Sequence, residues 1–304
     1  MAYLHEDKEE FLTAVNLAGR KYGIRQNIIE KDYYVTLILR ELSEKLDYIV
    51  FKGGTSLSKC HHVINRFSED IDITIDAKLS QGQMKKLKET IKEISDKFEM
   101  SIPNIDKTRS RRSYNRYILE YKSVVDDKND AVQSAVLLET SFAEVSFPTV
   151  FLPVHSYIGD MMTDEAPEQL SGYKLDPFEM KVQGLDRTLA DKVFAVCDYY
   201  LQNKVEKHSR HIYDIYKLLS IVPLTNDFKV LVHEVRNVRA LTNICPSAQP
   251  EINVTEILRI LIEQEIYKDD YEKITSRILE EDVKYETAIE AIKTIIETGI
   301  FDKV

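Results

Sequence analysis

Asp70 and Asp72 lie two residues apart in the segment from Arg66 to Asp76, RFSEDIDITID, where apolar and polar residues alternate. Successive strand side chains point to opposite faces, so both carboxylates fall on one face, roughly 6.6 Å apart along the chain. Upstream, the apolar residues Ile49, Val50 and Phe51 run into a turn at Gly53 and Gly54, followed by the hydroxyls of Thr55 and Ser56. Two carboxylates beside a glycine turn suit a divalent cation carrying a polyphosphate, because such cations take oxygen ligands and the start of a helix favours phosphate. The spacing is not that of a P-loop, since Lys59 follows the glycines by five positions with no second glycine before it. Plainer readings exist for each half: a tight turn for the glycines and a charge-protected edge strand for the acids. Arg66 and Ser68, just ahead of the acids, make the combination harder to dismiss.

Further along, the apolar stretch AVLLETSF, residues 135–142, contains a single acid, Glu139. A lone carboxylate in a buried strand must be paired or bind metal, so Glu139 is either a third ligand beside Asp70 and Asp72 or the partner of a neighbouring arginine. Lys192, in the apolar helix LADKVFAV, needs an anionic partner or a path to water, and Asp191 is the nearest acid in sequence. In RHIYDIYKL, Arg210, Asp214 and Lys217 lie on nearby turns of a helix, and His208, His211 and Asp214 have a spacing at which a metal site is conceivable. Surface histidines in a lysine-rich turn are the commoner outcome. No histidine or cysteine combines with a serine into a nucleophile triad.

These groups need elements to position them. The periodicity predicts helices over 6–21 and 26–46, and within the second Glu30, Lys31, Asp32, Tyr33 and Tyr34 read as a charged turn followed by aromatic core. A strand, the glycine turn, a short helix and the acid-bearing strand come next, then a charged helix over 80–98. Residues 107–122 are the most basic stretch: Lys107, Arg109, Arg111, Arg112, Arg116 and Lys122 stand against Glu120, with Tyr114, Tyr117 and Tyr121 interleaved. Such a mixture can follow a phosphate backbone and stack bases, or simply form a solvated strand pair. Asp126 to Asp130 reads as a turn, 135–142 as a strand, and 147–157 and 178–183 as strands or strand-like connections around prolines. From Asp186 the β signal fades, and helices are expected over 186–202, 208–220, 227–242 and, in pieces, 254–298. The fold class is therefore an α/β (α+β) core with a mixed sheet, residues 1–185, followed by a helical lobe, residues 186–304.

At 304 residues, 43% hydrophobic and 30% charged, the chain is ordinary globular protein and long enough for two lobes. No apolar run approaches the ~20 residues that span a bilayer, and the polar stretch His5 to Lys8 does not read as a signal peptide. Cys60, Cys197 and Cys245 are scattered, which suits free thiols and a cytoplasmic setting. A formal net charge of −10 argues against a bulk nucleic-acid coat but leaves room for a local basic strip.

KGGTSLSK followed by RFSEDIDI resembles the AbiEii/AbiGii toxin family of nucleotidyltransferases, a branch of the polymerase-β-like superfamily that also takes in MenT-like toxins. The IEKDYYVT helix (Ile29 to Thr36), the LADK helix (Leu189 to Lys192) and the SRHIYDIYKL helix (Ser209 to Leu218) are similar to that family as well, in the same order. The resemblance implies a toxin checked by a cognate antitoxin, moving a nucleotide from an NTP to an RNA acceptor such as the 3′ end of tRNA. It gives Gly53, Gly54, Thr55 and Ser56 the triphosphate, with Lys59, Arg66 and Ser68 in the same nucleotide-binding stretch, and Asp70 and Asp72 the Mg²⁺ (or Mn²⁺). Lys192 would touch donor phosphates and Asp214 would complete the catalytic set, while Glu139 stands where the superfamily usually has Asp. Two metals about 3.5–4 Å apart would clamp the attacking and leaving oxygens, and the cleft between lobes would take donor and acceptor. Rival readings are a nucleotidyltransferase for a small molecule or protein side chain, an inert partner-binding protein of the same fold, and a histidine-metal hydrolase.

Overall fold

The structure, a computed structural model, describes residues 3–68, 70–126 and 133–302. By compactness the chain divides into two units: Met1–Thr55, Glu69–Phe142 and Phe151–Val182 form the first, and Ser56–Ser68, Ala143–Val150 and Gln183–Val304 the second. The sequence suggests one break near 185, but two short upstream segments also go with the helical unit. Part of the turn expected over 126–130 lies outside the described residues.

The first unit opens with α1 (Lys8–Tyr22) and α2 (Gln26–Lys45), which pack on each other. Asp7 starts α1 by accepting the amides of Glu9 and Glu10, which would otherwise lack partners in the first turn. The EKDYY run of α2 is aromatic core, as its pattern suggests: the Tyr33 ring lies 4.6 Å from that of Phe11, and Tyr34 stacks on Tyr121 at 4.2 Å. Its buried Glu30 accepts the Val124 amide at 2.7 Å and the Ser123 hydroxyl. Next come β1 (Ile49–Lys52), α3 (Gly53–Lys59), β2 (Ile71–Ile75) and α4 (Gln81–Lys97), the last opened by a Ser80–Gln83 capping box.

β3 (Tyr114–Glu120), β4 (Ala135–Val145), β5 (Thr149–Val154), α5 (Tyr157–Glu165) and β6 (Phe178–Gln183) follow. The strands form one sheet in the order β3-β4-β2-β1-β6-β5. It is mixed, because β1 runs antiparallel to β2 and parallel to β6. Alternation assigns the faces. On β3, Asn115, Tyr117 and Leu119 are buried while Tyr114, Arg116 and Glu120 are exposed; on β2, Ile71 and Ile73 are buried and Asp72 is half-buried. α5 occupies a stretch adjoining the expected strand-like connection, and Ser156 caps it by accepting the Gly159 amide.

The second unit is helical: α6 (Leu185–Leu201), α7 (Arg210–Leu219), α8 (Asn226–Arg239), α9 (Val254–Glu263), α10 (Lys268–Lys273) and α11 (Tyr285–Thr298). α7 packs on both α6 and α11. Leu57, Val63 and Ile64 from segment 56–68 join Leu189, Val193, Ile212 and Ile292 in its core. The same segment is stitched to residues 278–280 through Phe67 N–H to the Ile278 carbonyl at 3.1 Å and Glu280 N–H to the Asn65 carbonyl at 2.9 Å. Cys60, Cys197 and Cys245 are free and buried. Among the described residues, no helix is long and apolar enough to cross a membrane.

Candidate active site

The antiparallel register sets Lys52 of β1 opposite Asp72 of β2, so the turn after β1 begins beside the Asp72 carboxylate. Gly53 has φ +80°, a conformation L residues rarely adopt. A Cβ there would fall 1.9 Å from Asp72 Oδ2 and 2.8 Å from Asp72 Cγ. Glycine is thus required twice, for the backbone twist and for the space in which the carboxylate lies. Asp70, half-buried, immediately precedes β2, and strand alternation carried back one residue would put it on the Asp72 side. Thr55 and Ser56, both in α3, are buried.

β4 lies beside β2, and Glu139 on it pairs directly across to Arg116 of β3. Arg116 Nε donates to Glu139 Oε1 at 2.8 Å, and Tyr114 lies two residues from Arg116 on the same face of β3. Burial, with the Glu139 charge added to it, pushes the Tyr114 phenol well above its usual range, while the Asp72 charge acts in the same direction. Of the two readings open for Glu139, the arginine partner is the one observed. Of the interleaved tyrosines, Tyr117 and Tyr121 are core residues with 1% and 7% exposure, so Tyr114, 46% exposed, is the one at the surface. Tyr117 and Tyr121 point to the buried side, which removes base stacking from their roles. The loop ahead of β3 is pinned by Asn115, whose amide accepts the Arg109 N–H at 2.9 Å and donates to the Arg109 carbonyl at 3.0 Å.

In the second unit, Asp214 is fully buried and held by three cationic contacts. Arg66 grips it with Nε to Oδ1 at 2.7 Å and Nη2 to Oδ2 at 2.9 Å, and Lys192 Nζ lies 2.8 Å from Oδ2. Burial alone would raise this carboxyl, but the charges of Arg66 and Lys192 outweigh it and hold Asp214 well below the usual carboxylate range. Burial lowers Lys192, with Asp214 opposing. Lys192 Nζ also lies 3.0 Å from His211 Nδ1, and burial reinforced by Lys192 holds His211 far below its usual value. The imidazole is therefore neutral and accepts from the ammonium.

Two sequence expectations change here. Lys192 pairs with Asp214 and not with Asp191, which instead receives Arg187 Nε and Arg239 Nη1, each at 3.0 Å. Adjacent helix residues do not face each other, whereas a residue on the neighbouring helix can. His208 is turned to the Glu206 carbonyl at 2.6 Å and His211 to Lys192, so they do not converge as metal ligands. Among the described residues, no group of three or more His, Cys, Asp or Glu side chains is arranged to hold a metal. A magnesium–nucleotide site asks for less: one or two carboxylates, with phosphate oxygens and water completing the octahedron. Asp70, Asp72 and the space left at Gly53 fit that donor set.

The sequence profile described as nucleotidyl transferase AbiEii toxin, type IV TA system, matches residues 37–296. The chain belongs to the AbiEii family. Its members are nucleotidyltransferase-fold toxins of toxin–antitoxin and abortive-infection systems, and the glycine turn with its acid pair lies inside the matched region. Among solved structures, the chain is similar to MenT4, a nucleotidyltransferase toxin from Mycobacterium tuberculosis H37Rv, with 15% identity and a TM-score of 0.50. That match covers 93% of this chain and 88% of the other, and at this identity it speaks to the fold. No curated protein matches the chain. Sequence reasoning left the arginine partner of Glu139 unnamed and passed over His211 as the partner of Lys192. The first had a signal in the outward alternation of β3; the second depends on helix packing.

Proposed function

We propose that this AbiEii protein transfers a nucleoside monophosphate from an NTP to the 3′ end of an RNA, with tRNA as the acceptor, in the presence of Mg²⁺ or Mn²⁺. The observation that carries the reading is the seat of Asp72 against Gly53: the backbone bends there in a way that L residues rarely adopt, and a carboxylate occupies the space a Cβ would need. Asp70 and Asp72 would hold the metal, and the segment Gly53, Gly54, Thr55, Ser56 and Lys59, with Ser68, would hold the triphosphate. When bound, the metal supplies charge that lowers the pKa of the acceptor hydroxyl and neutralises the phosphates.

The acceptor 3′-hydroxyl gives up its proton to water as its oxygen bonds to the α-phosphorus, the bond from the α-phosphorus to the bridging β-phosphate oxygen breaks, and pyrophosphate leaves with the electron pair. Because such transfers depend on positioning and electrostatics more than on covalent help, side chains fixed before substrate arrives are the protein's main contribution. Arg66 is committed to Asp214, so its part is to fix that carboxylate. Asp214 and His211 in turn orient Lys192, to which the family resemblance gives a donor-phosphate contact. The exposed Lys107, Arg109, Arg111 and Arg112 favour an RNA backbone over an uncharged acceptor. Growth inhibition by this reaction would be countered by the cognate antitoxin.

The test is incubation with total tRNA, Mg²⁺ and each α-labelled NTP in turn, with aminoglycoside and protein acceptors in parallel. Label should pass to tRNA with the wild type, while Asp72→Ala folds and transfers nothing. Label only on the small molecule or protein, or full transfer by Asp72→Ala, would defeat the proposal.

A further inference from the structure

Charged residues recur across neighbouring strands: Lys52 on β1 lies opposite Asp72 on β2, and Glu139 on β4, the strand next to β2, lies opposite Arg116 on β3. The glycine turn continues from β1, on one side of the acids, while β4 and β3 lie on the other side. If the turn carries the triphosphate, as the proposed function holds, the direction of attack follows. In-line displacement puts the attacking oxygen opposite the leaving pyrophosphate. The acceptor must then approach over β4 and β3. β3 stands two strand spacings, about 9.5 Å, from β2, and the charge of Asp70 is felt at Arg116.

We infer that Arg116 is the acceptor-gripping residue, contacting a phosphodiester next to the reacting hydroxyl, and that Glu139 is the positioning residue that aims it. Glu139 takes only the Nε side of the guanidinium, at 2.8 Å, and the Arg116 side chain remains 51% exposed. A guanidinium braced at Nε presents its two terminal nitrogens as a fork, the geometry that matches phosphate oxygens. The exposed Arg109, Arg111 and Arg112 immediately precede β3 and continue the same positive surface along the RNA. On this view Glu139 orients the acceptor's ligand and does not bind the metal.

The experiment compares Arg116→Gln, Arg116→Lys, Glu139→Gln, the Arg116→Gln/Glu139→Gln double variant and Asp72→Asn in three measurements. These are Mn²⁺ binding by electron paramagnetic resonance without nucleotide, binding of labelled total tRNA across a salt series, and steady-state transfer. Arg116→Gln should raise the KM for tRNA about tenfold, and its tRNA-binding salt slope should fall by about one. KM for NTP and Mn²⁺ affinity should match the wild type. Glu139→Gln should shift the KM for tRNA in the same direction with Mn²⁺ binding intact, and the double variant should be no worse than Arg116→Gln. Arg116→Lys should restore the salt slope but not the KM, because an ammonium keeps the charge without the fork. Loss of Mn²⁺ binding in Glu139→Gln would make that residue a metal ligand and overturn the inference. So would additive losses in the double variant, or an Arg116→Gln defect confined to the KM for NTP. Unchanged Mn²⁺ binding and transfer in Asp72→Asn would instead defeat the parent reading of the site, whatever Arg116 does.

Discussion

Replacing Gly53 by alanine should damage the acid centre far more than the loss of one hydrogen atom suggests. A residue with a Cβ at φ +80° pays for a left-handed backbone, about 1–2 kcal/mol. The new methyl would also sit 1.9 Å from Asp72 Oδ2, 2.8 Å from Cγ and 3.0 Å from Cβ. Turning the carboxylate about its own axis relieves only the first of these contacts, so the side chain must swing away or β1 and β2 must separate at Lys52 and Asp72. Either response moves the carboxylate by an ångström or more, a misplacement that costs about a hundredfold in rate. The fold itself should survive, with a melting temperature lowered by about 2–4 °C for each kcal/mol of strain. Gly82→Ala is the matched control: that exposed glycine lies in α4, where an added Cβ would meet only Ser80 Oγ at 3.8 Å. Purified variants should be compared by calorimetry, by Mn²⁺ binding and by label transfer to tRNA. Wild-type metal affinity and turnover in Gly53→Ala would show that the seat of Asp72 is not what holds the cation.

Asp214→Asn should destabilise the second unit by about 3–5 kcal/mol, because Arg66 and Lys192 are left buried without their counter-ion; urea denaturation measures it, and a loss below about 1 kcal/mol would mean the pair is solvated. Since the folded pKa of Asp214 is depressed, its contribution is fully present above the ordinary carboxylate value of about 3.9 and is lost as pH falls below it, so the variant should show a flatter acid limb. His211 is held below its usual value, so the unfolded chain binds the extra proton first and stability falls as pH drops through 6.5. His211→Gln, which keeps an acceptor for Lys192, should make the stability slope between pH 6.5 and 5 shallower by up to about 1.4 kcal/mol per pH unit; an unchanged slope would mean that His211 already titrates in the folded protein.

Much of the architecture was legible in the residues because local pattern and tertiary structure agree. The alternation of Ile71, Asp72 and Ile73 gave the strand and its faces, and the spacing of Ile29, Val35, Ile38 and Leu42 gave α2. α5 was missed because nearby Pro148 and Pro153 favour extended backbone, while the Ser156 cap that starts the helix is a weak signal in a single sequence. At the site, residue types and order pointed to the acids and the glycine turn. What could not be read was pairing at a distance: the register that brings Gly53 to Asp72, the fork of Arg66 on Asp214, and the cross-strand contact of Arg116 with Glu139. The family resemblance put Arg66 in the nucleotide-binding stretch, whereas its guanidinium is buried against a carboxylate 148 positions away.

The thirteen-residue excursion from Ser56 to Ser68 has a consequence for how such a protein can be rebuilt. The chain leaves the sheet-bearing unit immediately after the glycine bend, contributes Leu57, Val63, Ile64 and Arg66 to the helical interior, and returns only at the acids. The helical half is therefore not a cassette that evolution or an engineer can clip off at residue 185 and exchange. Removing it would strip the anchorage from the stretch that joins the glycine turn to the acid pair, so the two halves of the chain are exchanged together or not at all.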